Sequence, residues 1–391
     1  GGYSEGGVNR QAFSREDIQA RKLMMSYAEE MNLTVFSDSI GNLFFRYQPD
    51  GAEGAPVVTG SHADSQPTGG RFDGISGVLA GFEAIRAIQQ AGVALKRPIE
   101  VVAWSNEEGS RYAPATMGSS VFVGQRKLEE FLDIVDADGL RLGDELEKSL
   151  AASPAAQPRE CGYPIAAYVE THIEQGPILE EQGVAIGAVT DIQGSRWFEI
   201  EVLGETRHAG TTPLSIRRDA FQGALRAVSA LNEHFADPSD VTRFTVGRFD
   251  VEPNSPNTVA ERVAFSIDFR HPDNAVLSTK GDAIEEVVAA VVTPCEVKVR
   301  ETFRCPPIHF HELLASTVRE AARTCGISCI DIASGAMHDA MLLAGYCTTS
   351  MIFVPSYQGI SHHPDEYTDP KQLADGAAVL AETMVALANK I

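Results

Sequence analysis

Apolar and polar residues alternate in blocks along the chain, and their spacing predicts alternating strands and helices. A β-branched run at 57–59 ends at Gly60, and apolar residues then recur at helical spacing over 75–88. Two further strand-length apolar runs, 99–104 and 165–169, are each followed by polar residues rather than by a hairpin turn. This order predicts an α/β fold with a mostly parallel sheet and helices on both faces.

A second block, with different spacing, begins after Gly187. Two of its segments alternate as half-buried strands do, and two have helical periodicity. These segments are 197–203 and 263–269 for the strands, and 219–235 and 278–291 for the helices. The block therefore predicts a smaller α+β domain.

The smaller domain is predicted to be an insertion, because alternating helices and strands resume after Pro307. The resumed segments are helix 311–325, strand 327–332, helix 338–343, strand 350–354 and a long helix from Pro370. We expect residues 1–188 and 303–391 to form the larger domain and residues 189–302 to form the smaller one.

Charge and composition narrow the classes of partner. The 391 residues contain 32 Lys and Arg against 54 Asp and Glu, a net charge of -22, which would repel nucleic acid and anionic lipid. No apolar run is long enough to span a bilayer, and the segment after Gly1 has no secretory signature, so the expected compartment is the cytoplasm. We expect small molecules or proteins as partners, and neither nucleic acid nor membrane.

The six cysteines show no Cys-x-x-Cys spacing and are too sparse for a disulfide framework. We interpret them as reduced, mostly packed thiols. A catalytic cysteine stays an alternative, which would need a neighbour that lowers the pKa of its thiol.

Side chains able to bind metal follow four of the predicted strands, where open α/β sheets bind ligands. They are His62 and Asp64, Glu107 and Glu108, His172, and His362. For any one of them, a solvated loop residue or a buried core histidine is the simpler interpretation. Their recurrence after four separate strands favours a metal site.

Two segments offer a division of roles. Asp64 is suited to hold the second ring nitrogen of His62 while the first binds metal. Asp73 could bind metal or could cap the N-terminus of the following helix. The adjacent pair Glu107 and Glu108 could supply one metal ligand and one general base, or could form a solvated acidic loop.

Taken together, motifs along nearly the whole chain resemble those of the zinc-dependent hydantoinase/carbamoylase amidohydrolases. This group includes N-carbamoyl-L-amino-acid amidohydrolase, β-ureidopropionase and allantoate amidohydrolase. The matching segments are 6–10, 60–74, 105–111, 171–177, 208–213, 256–257, 268–270, 338–340 and 360–362.

The resemblance implies two divalent metal ions per subunit, expected to be zinc, although manganese, cobalt or nickel would suit the same ligands. The implied ligands are His62, Asp73 and His172 for one ion, and Asp73, Glu108 and His362 for the other. By the same resemblance, Glu107 is the general base that moves a proton from water to the departing nitrogen, and Asp64 assists catalysis.

The inserted domain would then serve as a lid and as a dimerisation surface. The resemblance implies that His208 and Asn257 donate hydrogen bonds to the developing oxyanion, with His208 reaching the active site of the other subunit of a homodimer. Arg270 would bind the substrate carboxylate, although a surface ion pair is the alternative. Gln175 and His338 are the other predicted substrate-binding residues.

The expected reaction is hydrolysis of the carbamoyl C–N bond of an N-carbamoyl-L-amino acid or a β-ureido acid. Segments 65–70 and 113–118 favour this branch over allantoate hydrolysis. A dipeptidase or aminopeptidase with the same ligands is a rival, which Arg270 and Asn257 argue against. A binding protein without catalysis is disfavoured because every ligand is present. Met337 stands where the family usually has glycine, so the accepted side chain stays open.

Overall fold

The computed structural model describes residues 1–3 and 6–390. The chain divides into two compact units, the first formed by Gly1–Thr190 with His309–Ile391 and the second by Asp191–Ile308. Among the described residues, no helix is long and apolar enough to cross a bilayer.

The elements are given in chain order. The first twelve are α1 (Arg15–Glu30), β1 (Thr34–Ser37), β2 (Leu43–Tyr47), β3 (Val57–His62), α2 (Ile75–Ala91), β4 (Ile99–Trp104), α3 (Met117–Phe122), α4 (Leu142–Ala151), β5 (Gln157–Pro158), β6 (Ala167–Ile173), α5 (Ile178–Gln182) and β7 (Ile186–Ile192). Next come β8 (Gly194–Leu203), β9 (Arg207–His208), α6 (Ala220–Phe235), β10 (Arg243–Glu252), β11 (Thr258–Val259), β12 (Arg262–His271), α7 (Asn274–Asp282), α8 (Ile284–Val292) and β13 (Glu296–Cys305). The chain ends with β14 (Ile308–His309), α9 (Glu312–Cys325), β15 (Cys329–Ser334), α10 (Asp339–Leu343), β16 (Thr349–Val354) and α11 (Pro370–Lys390).

The centre of the large sheet in the first unit is parallel, as predicted. Strand β3 pairs in parallel with β4 on one side and β6 on the other, and β6 pairs in parallel with β16. Strands β2 and β7 flank this centre in antiparallel orientation. Across the sheet the order is β14, β7, β16, β6, β3, β4, β2, β1, β5, with β15 also beside β7.

Helices cover both faces of this sheet, which confirms the predicted α/β class. On one face, α2 and α11 pack over apolar residues of the central strands β3, β4 and β6, and α9 packs over β15 and β16. On the other face, the Trp104 ring of β4 lies 5.2 Å from the Phe122 ring of α3. Strand β4 is buried along its whole length for this reason, and it therefore reads as a continuous apolar run with one buried exception, Glu100.

The second unit is a four-stranded antiparallel sheet in the order β10, β12, β8, β13, with helices packed against one face. The single helix predicted at 278–291 is wrong, because α7 and α8 are separate helices that meet at Ala283. The carboxylate of Asp273 accepts hydrogen bonds from the Ala275 and Val276 amides, and this cap begins α7 earlier than its apolar residues indicate.

The sequence analysis did not predict β10 and β13, the two edge strands of this sheet. Both are half exposed, and their apolar residues are interrupted by charged ones. The predicted domain boundary after residue 302 falls inside β13, whereas the second unit continues to Ile308.

Candidate metal centre and active site

Four chain segments bring side chains able to bind metal to the carboxyl edge of the parallel strands, where such sheets bind ligands. His62 is the last residue of β3, and His172 lies near the end of β6. Glu107 and Glu108 follow β4, and His362 follows β16. The two strands were predicted to end before their histidines. In the structure, β3 and β6 continue through His62 and His172. Both strands are buried along their whole length, and their last residues include buried polar side chains, which a sequence pattern does not assign to a strand.

The described residues include two groups of three side chains that could each hold a metal ion. His62, Asp73 and His172 form the first group, and Asp73, Glu108 and His362 form the second. The Asp73 Oδ1 atom lies 3.1 Å from His172 Nε2, and Asp73 Oδ2 lies 3.1 Å from His362 Nε2. Asp73 therefore faces both groups with different oxygens. Imidazole and carboxylate donors of this kind fit zinc and several other divalent ions.

The imidazole rings of the first group are already held in the orientation that metal binding needs. The Nδ1 atom of His62 lies 3.0 Å from the Asp64 carbonyl oxygen, and that of His172 lies 2.8 Å from the Ile173 carbonyl oxygen. Because a carbonyl oxygen only accepts, each Nδ1 carries a proton, and Nε2 is the ring atom left to face Asp73 or to bind a metal ion once its own proton has left. The Gly74 amide nitrogen also lies 3.2 Å from His172 Nε2.

Asp64 contacts His62 differently from the prediction. Its backbone carbonyl, not its carboxylate, accepts from the ring, and the nearest carboxylate oxygen lies 3.8 Å from His62 Nδ1. The carboxylate instead accepts hydrogen bonds from the backbone amides of Glu107 and Glu108, each at 3.1 Å. Asp64 therefore holds the backbone of the glutamate pair.

Asp73 is not a helix cap, which resolves the alternative left open by the sequence. The N-cap of α2 is Gly74, and no side chain caps this end of the helix. Gly74 has φ 64°, and a Cβ atom there would overlap the His62 ring. Only glycine combines this backbone conformation with such a close approach, so Gly74 lets Asp73 face the histidines.

Glu107 lies beside the first group without belonging to it. Its Oε2 atom is 3.5 Å from His62 Nε2, and the side chain is buried. Glu108 of the second group accepts from the Gln66 side-chain amide at 2.7 Å. The two adjacent carboxylates thus have different partners, as a division between ligand and base requires.

Charges at the site shift the pKa values of its groups strongly. Burial would raise the pKa of the Asp73 carboxyl, but hydrogen bonds from the three surrounding histidine rings hold it well below its ordinary value. Burial would lower the pKa of His62, but the carboxylates around it, Glu107 foremost, raise it well above its ordinary value. Burial raises the pKa of Glu107 well above its usual range. Divalent cations would supply the positive charge that protons supply here.

Two predicted substrate-binding residues, Gln175 and His338, lie in the same unit. Gln175 Nε2 donates to Asp73 Oδ2 at 3.2 Å, and its buried Oε1 has no hydrogen-bond partner among the described residues. The His338 ring packs 4.5 Å from the His172 ring, and its Nε2 atom lies 3.1 Å from Ser334 Oγ. Burial holds the pKa of His338 well below its ordinary value, so the ring is neutral.

His208 and Asn257 lie side by side in the second unit, where β9 and β11 pair. His208 Nδ1 accepts from the Gly210 and Thr211 amides at 3.1 and 3.2 Å, so its Nε2 carries the proton of the neutral ring. The Asn257 side-chain oxygen accepts from the Ser255 hydroxyl at 2.9 Å, which leaves its NH2 group as the donor. Both side chains can therefore donate to an oxyanion.

Arg270 forms the ion pair that the sequence analysis gave as its alternative role. Its guanidinium contacts the Asp268 carboxylate, with Nη2 to Oδ2 at 2.7 Å. The Ser195 hydroxyl holds the same carboxylate from the other side at 3.1 Å. Such a pair also orients the guanidinium.

The structure adds three residues that the sequence analysis missed: Ser334, Ser361 and Glu366. Each is polar, and each hydrogen-bonds a predicted site residue or the backbone beside one. Their signal in the sequence is weak, because serine and glutamate side chains are usually solvated.

The cysteines take no part in this site. The structure describes all six cysteines and joins none of them in a disulfide, and burial raises the pKa of both Cys161 and Cys347 to about 11. Thiols with raised pKa values are poor nucleophiles at neutral pH, which argues against a catalytic cysteine.

Several known proteins are similar to this chain over nearly its whole length. The N-carbamoyl-L-amino-acid amidohydrolase of Rhizobium meliloti is 36% identical over 98% of this chain and 92% of its own. The allantoate amidohydrolase of Bacillus subtilis is 33% identical over 99% of this chain and 94% of its own. A crystal structure of an amidase of the hydantoinase/carbamoylase family from Burkholderia multivorans is 46% identical, with a TM-score of 0.92, and the match covers 99% of this chain and 94% of that one.

A family model confirms the relationship. The model described as Peptidase family M20/M25/M40 matches residues 58–386. The chain belongs to the hydantoinase/carbamoylase amidases of this family. As a hydantoinase/carbamoylase amidase, it is a hydrolase acting on C–N bonds other than peptide bonds in linear amides. Its His, Asp and Glu groups are suited to a dinuclear metal centre.

Proposed function

We propose that this amidase hydrolyses the carbamoyl C–N bond of an N-carbamoyl-L-amino acid or a β-ureido acid. One water is consumed, and the products are ammonia, carbon dioxide and the free amino acid. The observation that carries the proposal is the pair of ligand groups sharing Asp73, with Glu107 beside them and outside both.

The five ligand side chains would hold two divalent ions, zinc in the first instance, with manganese, cobalt or nickel compatible with the same donors. When bound, the ions would lower the pKa of a water molecule and polarise the substrate carbonyl. The protein's own contribution begins with geometry. Asp64 holds the Glu107 and Glu108 backbone, so the base and the adjacent ligand keep a fixed separation.

Glu107 would take the proton from the attacking water and pass it to the departing nitrogen. Its buried carboxylate suits both steps, because burial raises its pKa and makes it a stronger base and a usable acid. Gln175 would accept a substrate N–H through its unpartnered Oε1 atom. His338, neutral and packed against His172, would hydrogen-bond the ureido group without adding charge.

The second unit would supply recognition and oxyanion stabilisation. His208 and Asn257 each present an N–H donor, and donors of this kind stabilise charge that develops on the carbonyl oxygen. Arg270, oriented by Asp268, would bind the substrate carboxylate through its planar guanidinium. We propose that this unit is the lid and dimerisation domain.

The proposed homodimer is supported by exposed apolar residues on the second unit. Phe221 and Leu225 of α6 are exposed and lie one helical turn apart. The Phe221 ring also meets Phe249 of the edge strand β10, at 6.2 Å. A two-fold symmetric contact would cover these residues in both subunits. His208 would then act at the site of the partner subunit.

Allantoate hydrolysis is the second candidate, favoured by the Bacillus subtilis relative. Allantoate is also a ureido acid, so the same ligands, base and carboxylate site would serve. A dipeptidase activity is the third, because the family model describes peptidases.

The test is ammonia release from a panel of substrates by metal-free protein reloaded with zinc, manganese, cobalt or nickel. The panel contains N-carbamoyl-L-amino acids, β-ureidopropionate, allantoate and a dipeptide. We expect ammonia from the first two classes, and none after chelation. Dipeptide hydrolysis without ammonia, or two bound ions without any ureide hydrolysis, would contradict the proposal.

A further inference from the structure

Glu366 is a buried carboxylate that belongs to neither ligand group, yet it connects segments that carry the ligands. The residue is 3% exposed. Its Oε1 atom accepts hydrogen bonds from the backbone amides of Phe72 at 2.8 Å and Asp73 at 3.0 Å. Its Oε2 atom accepts from the Ser361 hydroxyl at 3.1 Å, one residue before His362. The Glu366 carboxylate therefore holds both the backbone at Asp73, which the two ligand groups share, and Ser361, which precedes the ligand His362.

The hydrogen bonds continue into a closed ring. Ser361 Oγ, which donates to Glu366, accepts from Gln175 Nε2 at 3.0 Å. The same amide donates to Asp73 Oδ2 at 3.2 Å. Each donor in this ring has the hydrogens it needs, and each oxygen only the bonds it can accept. The ring leads from the Asp73 backbone back to the Asp73 carboxylate.

The second ligand group depends on this ring more than the first does. His62 and His172 lie in buried strands, and each has its own Nδ1 partner. His362 lies on a loop with a side chain that is 51% exposed and with φ 55°, a conformation unfavourable for a non-glycine residue. Among the described residues, nothing hydrogen-bonds its Nδ1 atom. Its position rests on its neighbour Ser361.

We propose that Glu366 is a positioning residue that fixes Asp73 and His362 relative to each other and so controls metal affinity at the second group. The inference rests on the proposed two-metal site. Residues that orient metal ligands typically contribute about 10- to 100-fold in metal affinity. We expect Glu366→Ala to weaken binding at the Asp73, Glu108 and His362 group by about that factor, and binding at the first group much less.

The experiment is calorimetric titration of zinc alone into metal-free protein, with no substrate present. Two reference variants identify the binding steps: His172→Ala removes a ligand unique to the first group, and His362→Ala one unique to the second. The isotherm of Glu366→Ala should resemble that of His362→Ala. Glu366→Gln should recover most of the affinity, because its side-chain oxygen can still accept from both backbone amides.

A matched control separates positioning from general stability. Asp136 also accepts three hydrogen bonds, from the Asp138 and Leu140 amides and from Arg111, with a side chain that is 7% exposed. Asp136→Ala should lower the thermal midpoint of the metal-free protein and leave both zinc affinities unchanged.

A second variant tests the same contact from the other side. A Cβ atom at Gly70 would overlap the Glu366 carboxyl group. Gly70→Ala should therefore weaken zinc binding at the second ligand group although the Glu366 carboxylate is still present. If Glu366→Ala does not fold, this variant tests the inference in its place. Equal weakening of both steps, or unchanged steps, in these variants would overturn the inference. Wild-type protein that binds two zinc ions but hydrolyses no ureide would overturn the proposed function instead.

Discussion

Glu107 and Glu108 are adjacent in the chain, but their environments differ. Glu108 shares a ligand group with Asp73 and His362, whereas Glu107 is buried near His62 and belongs to neither group. The general base is the carboxylate whose substitution abolishes turnover and leaves the metal content unchanged. The geometry therefore assigns a different expected result to each residue.

We predict that Glu107→Gln keeps both metal ions and lowers kcat by about 10²- to 10⁴-fold, the usual range for a lost general base. The amide has the shape of the carboxylate but cannot take a proton. Metal analysis and ammonia release measure the two effects. Glu108→Gln is the matched control and should lose metal from the second group. Loss of metal in Glu107→Gln and its retention in Glu108→Gln would reverse the assignment.

Arg270 and Asp268 form an ion pair on β12, and the proposal gives Arg270 a second carboxylate partner in the substrate. We predict that Arg270→Lys lowers kcat/KM for carboxylate-bearing ureides by roughly 10- to 100-fold, because an ammonium does not reproduce the two parallel bonds of a guanidinium. A matched ureide without the carboxylate should be affected much less.

Arg262→Lys is the control for this prediction. Arg262 lies on the same strand and is also ion-paired, with Glu201, but it is not a proposed substrate residue. Its substitution should leave both substrates unaffected. If Arg270→Lys reduced turnover of both ureides equally, Arg270 would not contact the substrate carboxylate.

At the scale of elements, close packing of α2 against β6 brings Asp73 to His172. Gly77 lies in the first turn of α2, and a Cβ atom there would overlap the backbone carbonyl of Thr171. The helix can therefore approach the strand only with glycine at this position.

We predict that Gly77→Ala lowers the free energy of unfolding of the metal-free protein by about 1–3 kcal/mol, as overpacking usually does. It should also weaken zinc binding at the first group, because α2 moves away from β6. Denaturant unfolding and calorimetry measure these effects. Gly345→Ala is the control, since a Cβ there would meet only ordinary contact at 3.6 Å. Unchanged stability in Gly77→Ala would show that the strand adjusts without cost.

The sequence predicted those elements best that are buried along their whole length, as β4 is, or along one face only, as α6 is. Strand β4 has the predicted bounds, because its apolar residues are continuous, and α6 was recognised from its periodicity. Strands β3 and β6 extend beyond their predicted ends, because buried polar residues such as His172 look like loop residues in a sequence. The edge strands β10 and β13 were missed, since exposed faces carry charges that obscure the alternation.

The candidate site was predicted unevenly for a similar reason. The resemblance named all five residues that the structure groups as possible ligands, although their metal-binding role stays a prediction. The contacts around them could not be predicted. The Asp64 carboxylate was expected to hold an imidazole and instead holds two backbone amides, and Glu366 was not considered. Such contacts depend on backbone positions far apart in sequence, which residue types alone do not specify.

At the scale of the whole molecule, His208 lies in the second unit and far along the chain from the proposed metal ligands. Its Nδ1 atom is occupied by two backbone amides, so its Nε2–H group can donate to an oxyanion. The proposed homodimer gives this donor a function, provided that it acts on substrate bound by the partner subunit. That requirement can be tested without locating the interface.

We predict that the inactive variants Glu107→Ala and His208→Ala restore activity to each other when their subunits exchange during coexpression. Random pairing makes about half of the dimers mixed, as expected for a closed two-fold dimer. In each mixed dimer one site combines an intact Glu107 with an intact His208 from the other subunit, so roughly a quarter of all sites should be active. Each variant mixed with wild-type subunits is the control for exchange. If verified mixed dimers with full metal content stayed inactive, His208 would act within its own subunit or not at all.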